Sequence, residues 1–254
     1  MKAVVSSEWL KLRSVTSTYH TLGTAAMTVL LGVVWTLYVS GLADERGSLT
    51  AAAPERGFLP LIQISLAVLG VLTITSEYAT GTIRTSLTVT PKRGTLLLAK
   101  AGIVGLTTFI AANAILLITY STSRLIANGH ELGFNDTSSA DDLLMLLASG
   151  LSVTALALVG LGLGTALRSA AGAIVSVVAL LFVLPGIVNY LPPPWNARVA
   201  TLLLPNLVPQ IADQRLSPRL GDGFLPPWAA LAILLAYPLV ALAVGYYQLK
   251  RRDL

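Results

Sequence analysis

Six stretches of this chain contain no Asp, Glu, Lys or Arg: Thr21–Ala43, Gly57–Ser76, Ala101–Ser123, Leu143–Leu167, Ser169–Ala197 and Gly223–Leu249. Each holds at least the roughly twenty residues that a helix needs to cross a hydrocarbon core of about 30 Å. Short buried helices of a water-soluble domain would not all reach this length. Composition agrees, with 54% hydrophobic and only 11% charged residues and a mean hydropathy of +0.75, where about a quarter of a soluble domain is charged. The sequence therefore predicts an all-α integral membrane protein with six spans, at 21–43, 57–76, 97–123, 143–167, 169–191 and 226–249. No stretch remains for a separate soluble domain. The first run is read as a retained span, because its 23 uncharged residues exceed a signal-peptide core and a further helical-looking segment precedes it.

Orientation follows from the bases. With the N-terminus in the cytoplasm, six crossings return the C-terminus there. Eleven Lys and Arg then face the cytoplasm (Lys2, Lys11, Arg13, Arg84, Lys92, Arg93, Lys100, Arg168, Lys250, Arg251 and Arg252) and six face outside. That bias matches the positive-inside rule. The pI of about 9.6 is on this reading a mark of topology, and no nucleic-acid partner is expected. The predicted location is a cell membrane crossed six times, with both termini in the cytoplasm.

Several chemistries lack their residues. Cysteine is absent, so thiolate metal sites and disulfides are unavailable. The two histidines, His20 and His130, fall near a predicted boundary and in a loop, so neither a serine-protease base nor a metal cage is expected at depth. No catalytic residue, metal ligand or cofactor is assigned to this chain. No G-x-x-x-x-G-K-[ST] occurs, so the chain holds no P-loop of its own. Because the six runs carry no ionisable acid or base, an ion-coupled carrier is disfavoured. A secondary transporter and a non-transport membrane scaffold or immunity protein remain the alternative classes. Among uncharged polar groups in the spans, Asn113 is a candidate for lining a substrate path, or else for bonding a neighbouring helix.

One segment interrupts the apolar pattern. SEYATGTIRTSLTVTPKRG, Ser76 to Gly94, holds one acid, three bases and five threonines. Gly81 is placed to end or bend the second span, because glycine accepts left-handed backbone. Thr82 is then placed to cap a short helix through Ile83, Arg84 and Leu87. Val89 and Thr90 are expected to be extended before Pro91, with Thr90-Pro91 opening a new helix through Lys92, Arg93 and Lys100. From these residues alone the segment is equally a loop whose bases only set topology. At the N-terminus, Val5, Trp9 and Leu12 form a narrow apolar stripe flanked by Lys2, Lys11 and Arg13. That pattern suits a helix lying in the membrane interface, the alternative being a plain basic tail.

Together these features resemble the permease subunits of type-2 ATP-binding cassette exporters. The resemblance rests on Glu77, Gly81-Thr82, Leu87, Thr90-Pro91 and Lys92-Arg93, on the opening SEWLKLRS (Ser7 to Ser14), and on size and span count across the whole chain. It implies that residues 1–19 are an amphipathic elbow and that 77–94 hold a cytoplasmic coupling helix between spans two and three. It also implies that Glu77, Tyr78, Gly81, Thr82, Ile83, Arg84, Leu87, Pro91 and Arg93 are contact or hinge residues toward a separate ATPase. The implied assembly has two ATPase copies, which bind ATP and Mg, and a second permease, identical or related, within the lipid bilayer. The substrate is not implied.

Two further features are less specific. Gly160 and Gly164 form GxxxG in the fourth span, with Gly162 and Ala166 extending its small face for close helix packing. Prolines 192–194 end the fifth span, and the apolar but Pro-containing 199–212 is too short to cross. It either re-enters the membrane, as the resemblance suggests, or packs as an outside loop.

Overall fold

The computed structural model describes residues 2–47, 49–89, 93–128, 130, 132–134, 139–213 and 225–251. Among them the secondary structure is helical throughout, and six helices are long and apolar enough to cross a membrane. In chain order the elements are α1 (Lys2–Ser14), α2 (Thr16–Arg46), α3 (Pro54–Gly57), α4 (Leu59–Thr80), α5 (Thr82–Val89), α6 (Arg93–Ile126), α7 (Ser139–Leu167), α8 (Ala170–Val178), α9 (Leu184–Val188), α10 (Trp195–Ala200), α11 (Leu204–Ile211) and α12 (Pro227–Arg251). A π-helical turn, Ala179–Val183, joins α8 to α9. The spans are α2, α4, α6, α7, α8 through α9, and α12. The end of the bundle carrying α1, α5 and the last turn of α12 is called the terminal end below; the other is the distal end.

The helix breaks have local causes. Val15 is extended (φ −89°, ψ 123°) and separates α1 from α2. Thr16 to Tyr19, which the 1–19 boundary assigned to the N-terminal segment, therefore continue the first span instead. Gly81 ends α4 in the left-handed region, with φ 74° and ψ −2°. A Cβ built there would meet nothing within 4 Å. The position needs glycine for the sign of φ and not for space. Ser169 caps α8 by accepting the Gly172 N–H at 3.2 Å. In the fifth span Pro185 lacks an N–H and its ring crowds the preceding turn. The helix widens there, with the Leu184 N–H reaching back to the Ala179 carbonyl.

Helix α7 is the centre of the bundle. Its most apolar stretch is 72% buried inside the chain, against 50% or less for every other span. Small residues permit this. A Cβ on Gly70 of α4 would stand 2.0 Å from the Ala157 carbonyl oxygen, and one on Gly160 would stand 2.6 Å from the Ala67 oxygen. Gly164 meets Ile74 and Thr75 of α4 in the same way. Gly162 instead meets Ala241 of α12, where a Cβ would lie 2.4 Å from the backbone carbon. The glycines thus serve two helices on opposite sides of α7 and do not form one continuous small face. Two residues apart on a helix is about 200° around its axis.

Residues 199–212 resolve into α10 and α11 with a break at Thr201–Leu203. Leu204 and Leu207 are buried with Ala155, Leu156, Val177, Leu181, Ala230 and Leu234. The break is held by Gln210, whose amide donates to the Thr201 and Asn206 carbonyls at 2.9 and 2.7 Å, and by Tyr237 Oη donating to Leu202 O at 2.9 Å. The segment is a packed helical pair seated among α7, the fifth span and α12.

Candidate functional site at the terminal end

Four charged side chains close a ring where α1, α4, α5 and α6 meet. Lys100, only 1% exposed, donates from Nζ to Glu8 Oε2 and to Glu77 Oε1, the latter at 2.7 Å. Lys11 donates to Glu8 Oε1 at 2.7 Å, to Glu77 Oε1 at 2.9 Å and to Ser86 Oγ of α5 at 2.9 Å. Two positive and two negative charges balance, as burial in a poorly polarisable setting demands. Lys11 sits at the rim. Its partial burial alone would lower its pKa, but its hydrogen bonds to Glu8 and Glu77, with their charges, outweigh that and raise it above the ordinary lysine value. One acceptor is left over: Glu77 Oε2 is buried without a hydrogen-bond partner among the described residues.

This ring is the main departure from the sequence reading. Lys100 already falls in the predicted third span, 97–123, but counts there only as a cytoplasmic base; it lies inside α6 and is buried. Sequence reasoning placed Lys11 beside the N-terminal stripe and Lys100 on the helix entering the third span, gave Glu8 no role of its own, and missed Ser86. Their partners are up to 92 positions away in sequence. The only available signal was that two acids and two bases sit at neighbouring predicted boundaries.

The candidate coupling residues divide by exposure. Glu77 is buried in the ring, and Ile83 is buried among Leu12, Leu69, Ile74, Leu96 and Leu97. Neither presents a side chain outward, which corrects any reading of them as surface contacts. Tyr78 is half-buried under the Arg168 guanidinium, 5.3 Å from its ring centre. Arg93 donates to the Leu249 carbonyl and, at 3.4 Å, to that of Lys250, so it holds the last turn of α12. Gly81, Thr82 and Arg84 are exposed. Thr82 is the first residue of α5 and not its cap. Its hydroxyl pairs with that of Thr80 at 2.9 Å, while the Arg84 N–H returns to the Gly81 carbonyl. Helix α5 continues through Val89, where extended backbone was expected; the helical turn that Ile83 and Ser86 anchor runs on to the segment's end. Pro91 and the side chain of Leu87 lie outside the described residues, as do Thr90 and Lys92.

The N-terminal stripe also splits. Val5 and Trp9 are exposed, Trp9 by 47%, whereas Leu12 is 6% exposed and belongs to the core. The inward face of α1 is Val4, Glu8, Lys11 and Leu12, about a quarter turn from the predicted stripe. Asn113 donates to its own helix at the Phe109 carbonyl, 2.8 Å away, and packs against Gly150 of α7. It lies apart from the ring. Among the described residues no three His, Asp or Glu side chains converge as a metal site.

A cavity of about 380 Å³ adjoins the ring. It is walled by α1, the first turn of α2, α4 and Thr82, with Glu8, Lys11, Glu77 and Lys100 at one side.

A second charged group occupies the distal end. Arg124 of α6 contacts Glu55 of α3 at 3.2 Å and Asp142 of α7 at 3.4 Å, and Arg56 lies 3.7 Å from Asp142. The Arg124 guanidinium stacks over Tyr120 at 4.5 Å and Phe134 at 4.8 Å.

Six packed apolar helices with a short polar helix tied into one end by a buried ion ring define a multi-pass membrane protein. The family model described as ABC-2 family transporter protein matches residues 42–254. The chain belongs to that family, and it is the membrane subunit of an ABC transporter, which works with an ATPase partner. No curated protein matches the chain. The match begins within α2, so α1, which supplies Glu8 and Lys11, lies before it.

Proposed function

We propose that the chain is the permease of an ATP-driven exporter and that α5 is the element on which the ATPase docks. The observation that carries this is the two-sidedness of α5. Ile83 plugs it into the core and Ser86 ties it to Lys11, while Thr82, Arg84, Thr85 and Thr88 face outward. A helix held this firmly moves with the spans when pushed, which is what a mechanical handle requires. On this reading α1 is the elbow, the terminal end faces the bacterial cytoplasm, and two ATPase copies bind ATP and Mg against a pair of permeases. Alternating access then follows from a push on α5 carried through the ring to α4 and α6.

Two substitutions separate docking from transmission. Arg84→Glu reverses an exposed charge and is expected to lower recovery of co-expressed ATPase several-fold. Gly81→Val forces a β-branched residue into left-handed backbone, at roughly 1–2 kcal/mol or more. It should leave membrane insertion intact but cut vanadate-sensitive ATP turnover of the reconstituted assembly. Full ATPase recovery and full turnover in both variants would reduce the segment to a topology-setting loop.

The absence of cysteine permits a clean orientation test. A cysteine at Thr50 is expected to react with an impermeant maleimide added to intact cells, and one at Thr85 only after lysis. Labelling of Thr85→Cys from outside inverts the assignment and removes α5 from reach of a cytoplasmic ATPase.

A further inference from the structure

The cavity beside the ion ring is lined by hydroxyls and by one carboxylate with an idle oxygen. Thr73, Ser76 and Ser14 line it, but each spends its proton on its own helix, at the Leu69, Leu72 and Lys11 carbonyls at 2.7, 2.6 and 3.0 Å. Thr80 does the same toward Ser76 at 2.9 Å, so in its 2.9 Å pairing with Thr82 the latter is the donor. What these groups still have to offer is lone pairs. Lys11, the cation at the rim, has three donor hydrogens and three partners in Glu8, Glu77 and Ser86. Lys100 also lines the cavity with one hydrogen beyond those given to Glu8 and Glu77, and the Ser17 and Thr18 hydroxyls there can donate as well as accept. The charged group still able to accept is Glu77, which lines the cavity and whose Oε2 has no partner among the described residues. Leu12, Val15, Leu69 and Leu72 supply the apolar part of the wall.

We propose that this cavity binds the ammonium head of an amphiphile drawn from the membrane leaflet at the terminal end. An ammonium carries three donors and a positive charge, matching hydroxyl oxygens and a carboxylate whose second oxygen is idle. An alcohol brings one donor, and a sulfate or carboxylate brings none. The volume, about 380 Å³, is at the lower end of ordinary ligand pockets and suits a head group with a short run of its chain. Reaching Glu77 Oε2, which is buried, takes a small turn of the carboxylate as the donor arrives. The site does not depend on α5 docking an ATPase. A failure here leaves the co-purification result of Arg84→Glu untouched.

The test uses the full-length chain in detergent, with tetradecylammonium, tetradecanol and tetradecyl sulfate as probes. Tetradecylammonium is expected to bind at least tenfold more tightly than either of the others, by displacement of a fluorescent alkylammonium. Leu72→Phe fills the cavity and leaves the ion ring untouched; it should abolish that preference. Glu77→Gln turns an acceptor position partly into a donor and should weaken ammonium binding by tenfold or more. Native mass spectrometry of chain extracted from vesicles of phosphatidylethanolamine and phosphatidylglycerol then identifies the source. A retained phosphatidylethanolamine that Leu72→Phe loses makes the occupant a resident aminolipid. Ammonium binding without retained lipid makes it a free cationic amphiphile. Equal affinity for the three probes, or wild-type binding by Leu72→Phe, overturns the proposal.

Discussion

The charged groups at the two ends of the bundle each hold two bases and two acids and use them differently. At the terminal end two lysines and two glutamates join α1, α4, α5 and α6. At the distal end two arginines, Glu55 and Asp142 join α3, α6 and α7. The distal bases are planar guanidiniums, and Arg124 rests on Tyr120 and Phe134, so stacking supports it even without its acids. The terminal base Lys100 is a compact ammonium whose two recorded partners are both carboxylates, at 1% exposure. The distal group is a staple with redundancy. The terminal group is a ring in which each member depends on the others, beside a cavity and bonded to α5.

Removing the central base from each group tests this contrast most severely. Lys100→Met leaves Glu8 and Glu77 facing each other with Lys11 alone, an uncompensated buried charge that typically costs about 3–5 kcal/mol. It should lower the thermal midpoint in detergent sharply and reduce the yield of folded chain. Adding Glu8→Gln to it should recover part of the loss, because the net charge of the ring returns to zero. A Lys100→Met chain as stable as wild type would show that water reaches the ring freely.

Arg124→Met is the matched change at the other end. Arg56 still lies 3.7 Å from Asp142, and Arg124 is 19% exposed in its side chain, so a smaller loss of about 1–3 kcal/mol is expected. If Arg124→Met proves the more damaging of the two in the same unfolding assay, the assignment of staple and ring is reversed.

Glu55→Gln should have the smallest effect, and its sign depends on pH. Burial lifts the Glu55 pKa above its ordinary carboxyl value, and the Arg124 charge offsets this only in part. With the folded value raised, the favourable contribution of Glu55 is fully present below the unfolded value of 4.5. It is lost as pH rises through the folded value. Glutamine imitates the neutral acid, so Glu55→Gln should match wild type in acid. At neutral pH it should be equal or more stable, by about 1 kcal/mol at most. A clear destabilisation of Glu55→Gln at neutral pH, read from unfolding midpoints across the range, would mean that the Glu55–Arg124 pair outweighs the cost of burying it.

How far the sequence could be read depended on the range of the interaction. Span number and the helical class were legible because a hydrocarbon core imposes a length and forbids charge within each segment separately. The left-handed Gly81 was legible for the same local reason. The inward face of α1 was not: Val5, Trp9 and Leu12 read as one stripe for the membrane interface, yet Leu12 packs inward with Val4 and Glu8 because ion partners on α4 and α6 decide which side faces in. Nor did the sequence indicate that Gly160 and Gly162 serve different neighbours, since the choice of neighbour is a property of three helices at once. Length, hydropathy and turn chemistry act over a few residues, so this sequence by itself determined six spans with a polar helix between two of them. The pairing of Lys100 with Glu8 across 92 positions was left to the tertiary structure, because a buried charge is settled only by what the completed packing places beside it.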